Sequence, residues 1–456
     1  MVNSAIQQPH PYLRRIASNV GWLTAERIIR LGFGVLITVA IARRLGPERF
    51  GQLNYGIAMA TLVGVAASLG LDSVVQRDLV RMPAERNQLA GTCFVLKAVA
   101  GILGYILLVA IVKETVPEPA TRATCFIVGL GLLANGSFAI DNWFQAHTQG
   151  KFTAFAQGLS FLIAATIRIL LLCINAGLLA FAWAFSAEPI LTGILFLVLF
   201  HAVAGSLKDW KFDRTLARRW LTESWPLLLS GLAIIVYTRI DQIMLAHLAN
   251  DRALGIYSAA VRISEIGYFI PPILAASVLP SIVRTRESDI RKYDARRQHY
   301  FDLSVVLAVG IALPTTLLAG PIIRLLYGNA YAEAVPILCA LAWATLFAFM
   351  GGARQQYLIT EGYMKFSFAA TLVAAVMNIL LNIFLIPHYQ GFGAAIATLI
   401  SYGLSAVFSS FFFYPTREIG WEQLKAFNLF GALWRLASYS KEISSRVPGS
   451  TESEKR

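Results

Sequence analysis

The feature that most constrains this chain is a succession of apolar stretches, each about 20 residues long, with charge largely kept to the gaps between them. They run over 19–41, 53–71, 91–112, 124–145, 152–173, 178–202, 225–248, 254–282, 303–327, 334–360, 366–387 and 392–414, about twelve in all. A helix rises about 1.5 Å per residue and a bilayer core is roughly 30 Å thick, so each stretch is long enough to cross. The composition agrees, because 57% of the 456 residues are hydrophobic and only 14% are charged, more apolar side chain than a water-soluble core can use. The expected fold is an all-α polytopic membrane protein. Pro189, Pro271, Pro272 and Pro314 lie within the stretches and are expected to kink helices whose neighbours satisfy the freed carbonyls.

Charge sets the topology. Glu26, Arg27 and Arg30 interrupt the first stretch, which is therefore read as a retained span and not a cleaved leader. With the N-terminus cytoplasmic, one side collects Arg14, Arg15, Arg77, Arg81, Arg86, Lys151, Lys208, Lys211, Arg214, Arg218, Arg219, the cluster from Arg284 to Arg297, Lys365 and the basic tail. The other side holds Arg43, Arg44, Arg49, Lys113, Arg122 and Arg252. That is roughly 25 against 6, a positive-inside pattern with both termini cytoplasmic. The net charge of +13 is thus accounted for by topology, and no nucleic-acid partner is expected. Cys93, Cys125, Cys173 and Cys339 stand singly in apolar runs, so neither a disulfide framework, a metal site nor a cofactor is expected.

The organisation reads as a cytoplasmic segment 1–18, a six-span lobe 19–205, a cytoplasmic linker 206–222, a second six-span lobe 223–415 and a cytoplasmic tail 416–456. IARRLGPERFGQLNYG (41–56) lies without gaps on LAHLANDRALGIYSAA (245–260), matching Ala42 to Ala246 and Gly51 to Gly255. Both segments follow the first span of their lobe. This is the arrangement of a parallel repeat about an axis along the membrane normal, suited to alternating access. In the tail, residues 421–436 form an amphipathic stretch expected to lie on the inner leaflet, and 447–456 read as disordered.

Charges embedded in the spans are the candidate site. A charge at the bilayer centre costs about 2.5 to 3.5 kcal/mol, so these residues are expected to face an interior. Glu26 and Arg30 are spaced i,i+4 and Arg262 and Glu265 i,i+3, so each pair can close on its own helix face. Arg239 and Asp241 are i,i+2 and point apart, so each needs a partner on another helix or a wet cavity. Two readings follow, a set of ion pairs that hold helices together, or a central cavity in which Arg27, Arg30, Arg239 and Arg262, with Arg168 and Arg354, receive an anion. Guanidinium groups bind phosphate bidentately and stay charged. Asp241, Glu188 or Glu265 could then couple an ion or merely pair with an arginine. Lys97 and Arg324 sit near span ends, where snorkelling is expected. Aromatics such as Trp22, Trp183 and Tyr237 suit sugar stacking or ordinary interfacial anchoring.

Four motifs, ARRLGPERFG (42–51), GLD (70–72), RIDQIMLAHL (239–248) and GIYSAAVRISE (255–265), together resemble the polysaccharide biosynthesis proteins of the O-antigen flippase type, in the multidrug, oligosaccharidyl-lipid and polysaccharide exporter superfamily. The resemblance covers about Asn19 to Tyr414. It implies a MATE-like fold of two six-helix lobes that translocates an undecaprenyl-diphosphate-linked oligosaccharide across the bacterial inner membrane. It further implies work alongside membrane lipid, a polysaccharide polymerase and chain-length proteins. Arg27, Arg30, Arg239 and Arg262 stand where such proteins have a basic cavity, and Asp241 matches the family pattern within RIDQ. A cation-coupled multidrug antiporter would share the fold but is expected to have an acidic cavity. A membrane polymerase or ligase would need a large outer loop, and no Ser-His-Asp, paired-carboxylate or Gly-rich phosphate motif is present in the sequence. A scramblase without sugar specificity fits the same residues.

Overall fold

The computed structural model describes residues 11–446, with side chains left out at 11–20, 440–446 and a few further positions that include Arg27. The expected disorder of 447–456 therefore lies outside the described residues. Among these the chain is helical, with no strand, and nine helices are long and apolar enough to cross a membrane. It is a multi-pass membrane protein.

Two compact units divide the described residues, one running to Ser258 and the other from Ala259. The first holds α1 (Pro11–Ala67), α2 (Asp72–Arg81), α3 (Arg86–Thr115), α4 (Pro119–Gly129), α5 (Ala139–Ala146), α6 (Gly150–Cys173), α7 (Leu178–Val203), α8 (Arg214–Leu248) and the start of α9 (Asp251–Ser264). The second holds the rest of α9, then α10 (Ile270–Ser288), α11 (Ile290–Leu326), α12 (Ala334–Thr360), α13 (Met364–Ala406), α14 (Arg417–Ala426) and α15 (Leu429–Arg446).

The nine membrane-length helices relate simply to the twelve expected spans. α1 carries the first two stretches, broken at Gly46, whose φ of 73° and ψ of 170° precede Pro47. α13 carries the last two, broken at Gln390 with φ 48° and ψ −129°. The chain turns back there, since a Cβ on Gly393 would lie 2.4 Å from the Leu385 carbonyl oxygen, a distance that eight residues of straight helix would open to about 12 Å. The stretch 254–282 departs from one continuous span. It is two helices joined by a 3-10 segment, Glu265–Phe269. Pro271 and Pro272 open α10 at its first turn, where the missing N–H groups would have had no helical partner anyway. Pro189 and Pro314 do lie within helices.

A second 3-10 segment, Leu130–Phe138, joins α4 to α5. Irregular backbone at membrane depth needs partners. Here Asn135 donates to the carbonyls of Ala67 and Lys97, at 2.8 and 2.9 Å. Lys97 does not snorkel. It is 3% exposed and its Nζ lies 2.5 Å from Asp72, which opens α2 and also accepts from Asn142. A carboxylate at the helix start, close enough to neutralise the ammonium, removes the reason for it to reach water.

The paired segments of the proposed repeat meet directly. A Cβ on Gly51 would lie 1.7 Å from the carbonyl oxygen of Asp251, and one on Gly255 would lie 1.8 Å from that of Pro47. The alignment of 41–56 on 245–260 pairs Gly51 with Gly255 and Pro47 with Asp251. Each glycine thus touches the counterpart of the residue that its own counterpart touches, which is the reciprocity of a two-fold contact.

Candidate functional site

Four charged residues of the first unit converge because α1 and the α6–α7 pair each bring a pre-formed half. On α1, Glu26 and Arg30 share a face, and Arg30 Nε lies 2.6 Å from Glu26 Oε1. On the other side, α6 and α7 are joined by a short turn, so they run back against each other and bring Arg168 to Glu188, with 2.8 Å between Nη2 and Oε2. Glu188 closes the set with its second oxygen, 2.5 Å from Arg30 Nη1. One carboxylate therefore bridges two arginines from different helices.

Pro189, next to Glu188, cannot donate to the α7 turn before it. Arg168 reaches that turn, donating to the Ala184 carbonyl at 3.5 Å, and its guanidinium stacks 4.0 Å from the Phe185 ring centroid. Arg30 uses its third nitrogen on the Gln157 carbonyl at 3.1 Å and lies over Phe161. Burial separates the two cations, for the Arg168 side chain is 7% exposed and that of Arg30 is 37% exposed. Arg168 is locked in. Arg30 faces a cavity of about 380 Å³ lined by Glu26, Phe138, Gln157, Glu188, Pro189 and Thr192.

Beside it is an apolar cavity of about 570 Å³, lined by Trp22, Phe152, Phe155, Leu159, Phe161 and Leu162 among others, with Lys151 also contributing. Glu26 belongs to both walls. A charged chamber and an apolar groove thus adjoin within one unit.

The remaining candidates are placed elsewhere. Asp241 on α8 is buried, accepting from the Tyr257 hydroxyl and from the Gln242 N–H at 2.8 Å. Arg239 is half-buried on the same helix. In the second unit Arg262 and Glu265 form their local pair at 3.9 Å, and Arg354 donates to Ser409 and Ser410. The side chain of Arg27 is outside the described residues. Sequence reasoning named all four charges of the first-unit cluster but not the bridge through Glu188, and it had no signal for Asp72 as the partner of Lys97. Trp143, Tyr55 and Tyr357 are core residues.

At the start of α9, Asp251 accepts from Thr121 at 3.0 Å. Burial pushes its carboxyl above the usual carboxylate range, and Glu48 and Glu118 push the same way.

Comparison with known proteins places this architecture. The family model described as "Polysaccharide biosynthesis protein" matches residues 16–286, and the MatE model matches 226–384. Among curated relatives, the "Probable flippase AglR" of Haloferax volcanii is 24% identical over 82% of this chain and 78% of the relative. The "Probable low-salt glycan biosynthesis flippase Agl15" of the same organism is 20% identical over 90% and 88%. Among solved structures, "Lipid II flippase MurJ, inward closed conformation" superposes with a TM-score of 0.69 at 12% identity, covering 92% of this chain and 98% of that one. An inward-facing MATE family transporter of the MOP superfamily gives 0.65 at 14% identity, covering 93% and 99%. The fold is therefore the MATE-like one that the motifs implied, and with more than half of its length matched by the family model, the chain belongs to the polysaccharide biosynthesis protein family.

Proposed function

We propose that this protein is a flippase that carries an undecaprenyl-diphosphate-linked oligosaccharide across the bacterial inner membrane for surface polysaccharide assembly, by alternating access of two lobes. The observation that carries the reading is the adjacency of the Arg30 chamber and the apolar groove. The chamber suits a diphosphate and its first sugars, and the groove suits polyprenyl chain. Arg30 is the arginine of the cluster open to the cavity, so an entering diphosphate would exchange with Glu188 for Arg30, while Glu188 stays on Arg168. Such an exchange lets affinity differ between conformations, which transport requires. Arg239 and Arg262 serve the same anion along its path, with Asp241 a candidate for ion coupling. The likeness to two relatives named as probable flippases supports the class of activity. A polymerase and chain-length proteins would act on the product.

A cation-coupled multidrug antiporter is the second reading, favoured by the MatE match and by the two glutamates in the chamber wall. Deleting the gene and restoring it with wild type, Arg30→Ala or Arg239→Ala separates the two. The flippase reading expects lipid-linked oligosaccharide to accumulate and surface polysaccharide to fall in the deletion and in each correctly inserted mutant. Unchanged pools with new sensitivity to cationic drugs would establish the antiporter.

A further inference from the structure

The three most exposed large apolar side chains of the second unit, Phe430, Phe412 and Tyr414, all lie after its last span, and others join them there. Phe412 and Tyr414 follow the 3-10 turn Phe408–Phe411 that ends the last span, Trp421 lies on α14, and Phe430, Leu433 and Trp434 lie on α15. Phe430 is 87% and Trp434 71% exposed. Phe430, Leu433, Trp434 and Ala437 are spaced i, i+3, i+4, i+7 and are all exposed, so they make one apolar stripe. The opposite face of α15 is already in use. Ala432 is buried, Tyr439 stacks on His299 at 4.2 Å between centroids, and Arg435 forms a bidentate pair with Asp302 at 2.7 and 2.6 Å. A helix with one face packed on the protein and an apolar face left bare needs a second, apolar medium.

The attachment point fixes what that medium is. Asp302 is where α11 changes character, from IRKYDARRQHYFD on one side to LSVVLAVGIALPTTLLAG on the other. It therefore marks the level at which that helix passes from water into hydrocarbon. Arg435 holds α15 at this level. Trp421 packs edge-on against Phe411, 5.4 Å between centroids, and Phe411 ends the apolar helix that carries the last span. Both ties put the bare aromatics at the depth where Trp, Tyr and Phe anchor in a bilayer.

We infer that α14 and α15 form an interfacial anchor whose Phe430, Leu433 and Trp434 stripe inserts into the phospholipid leaflet bordering Asp302. The Arg435–Asp302 pair couples this anchor to α11, fixing the depth of that helix. The occupant is lipid rather than protein because both ties hold the stripe at the end of the last span, where Phe412 and Tyr414 are also exposed.

The test uses full-length protein with exposed Cys173 and half-buried Cys339 changed to Ser, and a nitrobenzoxadiazole label on Phe430→Cys, Trp434→Cys or, as an aqueous reference, Lys292→Cys. Each variant is reconstituted in phosphatidylcholine–phosphatidylglycerol vesicles carrying nitroxide on the upper acyl chain. Positions 430 and 434 are expected to be quenched at least about threefold more than 292, as for residues sunk to the headgroup–acyl boundary. Equal, weak quenching at all three positions would overturn the inference. So would a disulfide joining position 430 of two copies, which would give the stripe to a second copy of the chain.

Discussion

The ion cluster of the first unit and that of the second are built from the same chemistry and do opposite things. In the first, Glu188 bridges Arg30 and Arg168 on the wall of a cavity. In the second, Arg297 takes Glu422 at 2.6 Å and Arg435 takes Asp302, and both pairs fasten peripheral helices to α11. The difference lies in what remains accessible. Arg30 keeps a face on open volume, whereas Arg297 is buried and Asp302 is fully covered. An inventory of membrane-embedded charge thus says nothing of function until it is known which charge can trade its partner.

The largest expected effect removes neither cluster. Gly51→Val puts a side chain where 1.7 Å separates a Cβ from the Asp251 carbonyl, and backbone cannot yield as a flexible side chain would. No monodisperse protein should be recovered from detergent extracts, which sets the scale for a purely steric lesion. Next, Glu188→Gln leaves two arginines without their shared anion. Removing one partner of a buried ion pair costs about 3 to 5 kcal/mol, borne mainly by Arg168 because Arg30 is 37% exposed and stays solvated. Flipping by reconstituted protein should fall about 100-fold, with a lower melting temperature. The double variant Arg168→Gln/Glu188→Gln should recover the melting temperature but not the flipping, and recovery of both would make the cluster structural.

Arg30→Lys keeps the charge but cannot span Glu26, Glu188 and the Gln157 carbonyl together, so flipping should drop about tenfold at unchanged stability. Asp302→Asn should change flipping by less than about threefold, while the lost charged hydrogen bonds, about 1.5 to 3 kcal/mol, free α15 to a protease. A flipping loss equal to that of Glu188→Gln would erase the distinction between the two clusters. Smallest is a pH effect at Asp251. Its raised carboxyl binds a proton more tightly folded than unfolded, so its stabilising contribution is present in acid and disappears as pH rises through the folded value. Asp251→Asn should flatten the melting temperature between acid and neutral pH.

Much of this was legible in the sequence where one helix suffices. The spans follow from run length, and the Glu26–Arg30 and Arg262–Glu265 pairs from helical spacing. What needed two helices was not legible. Glu188 meets Arg30 across 158 positions, and Lys97 meets Asp72 across 25, because pairing depends on the depth and rotation of each helix and these are set by packing. The 254–282 stretch shows a different limit, since hydropathy measures oil and does not register that Pro271 and Pro272 begin a new helix. Two identities in the repeat alignment carried little weight as letters, yet Gly51 and Gly255 were the positions that mattered.

That glycine pair has a mechanical consequence. Helices that interlock through side chains resist turning, because each rotation must lift knobs from holes. Two rods that touch backbone to backbone, with glycine on both, hold their separation and present no interlocking side chain at that point. The contact of Gly51 and Gly255 is built like the pin of a pair of scissors.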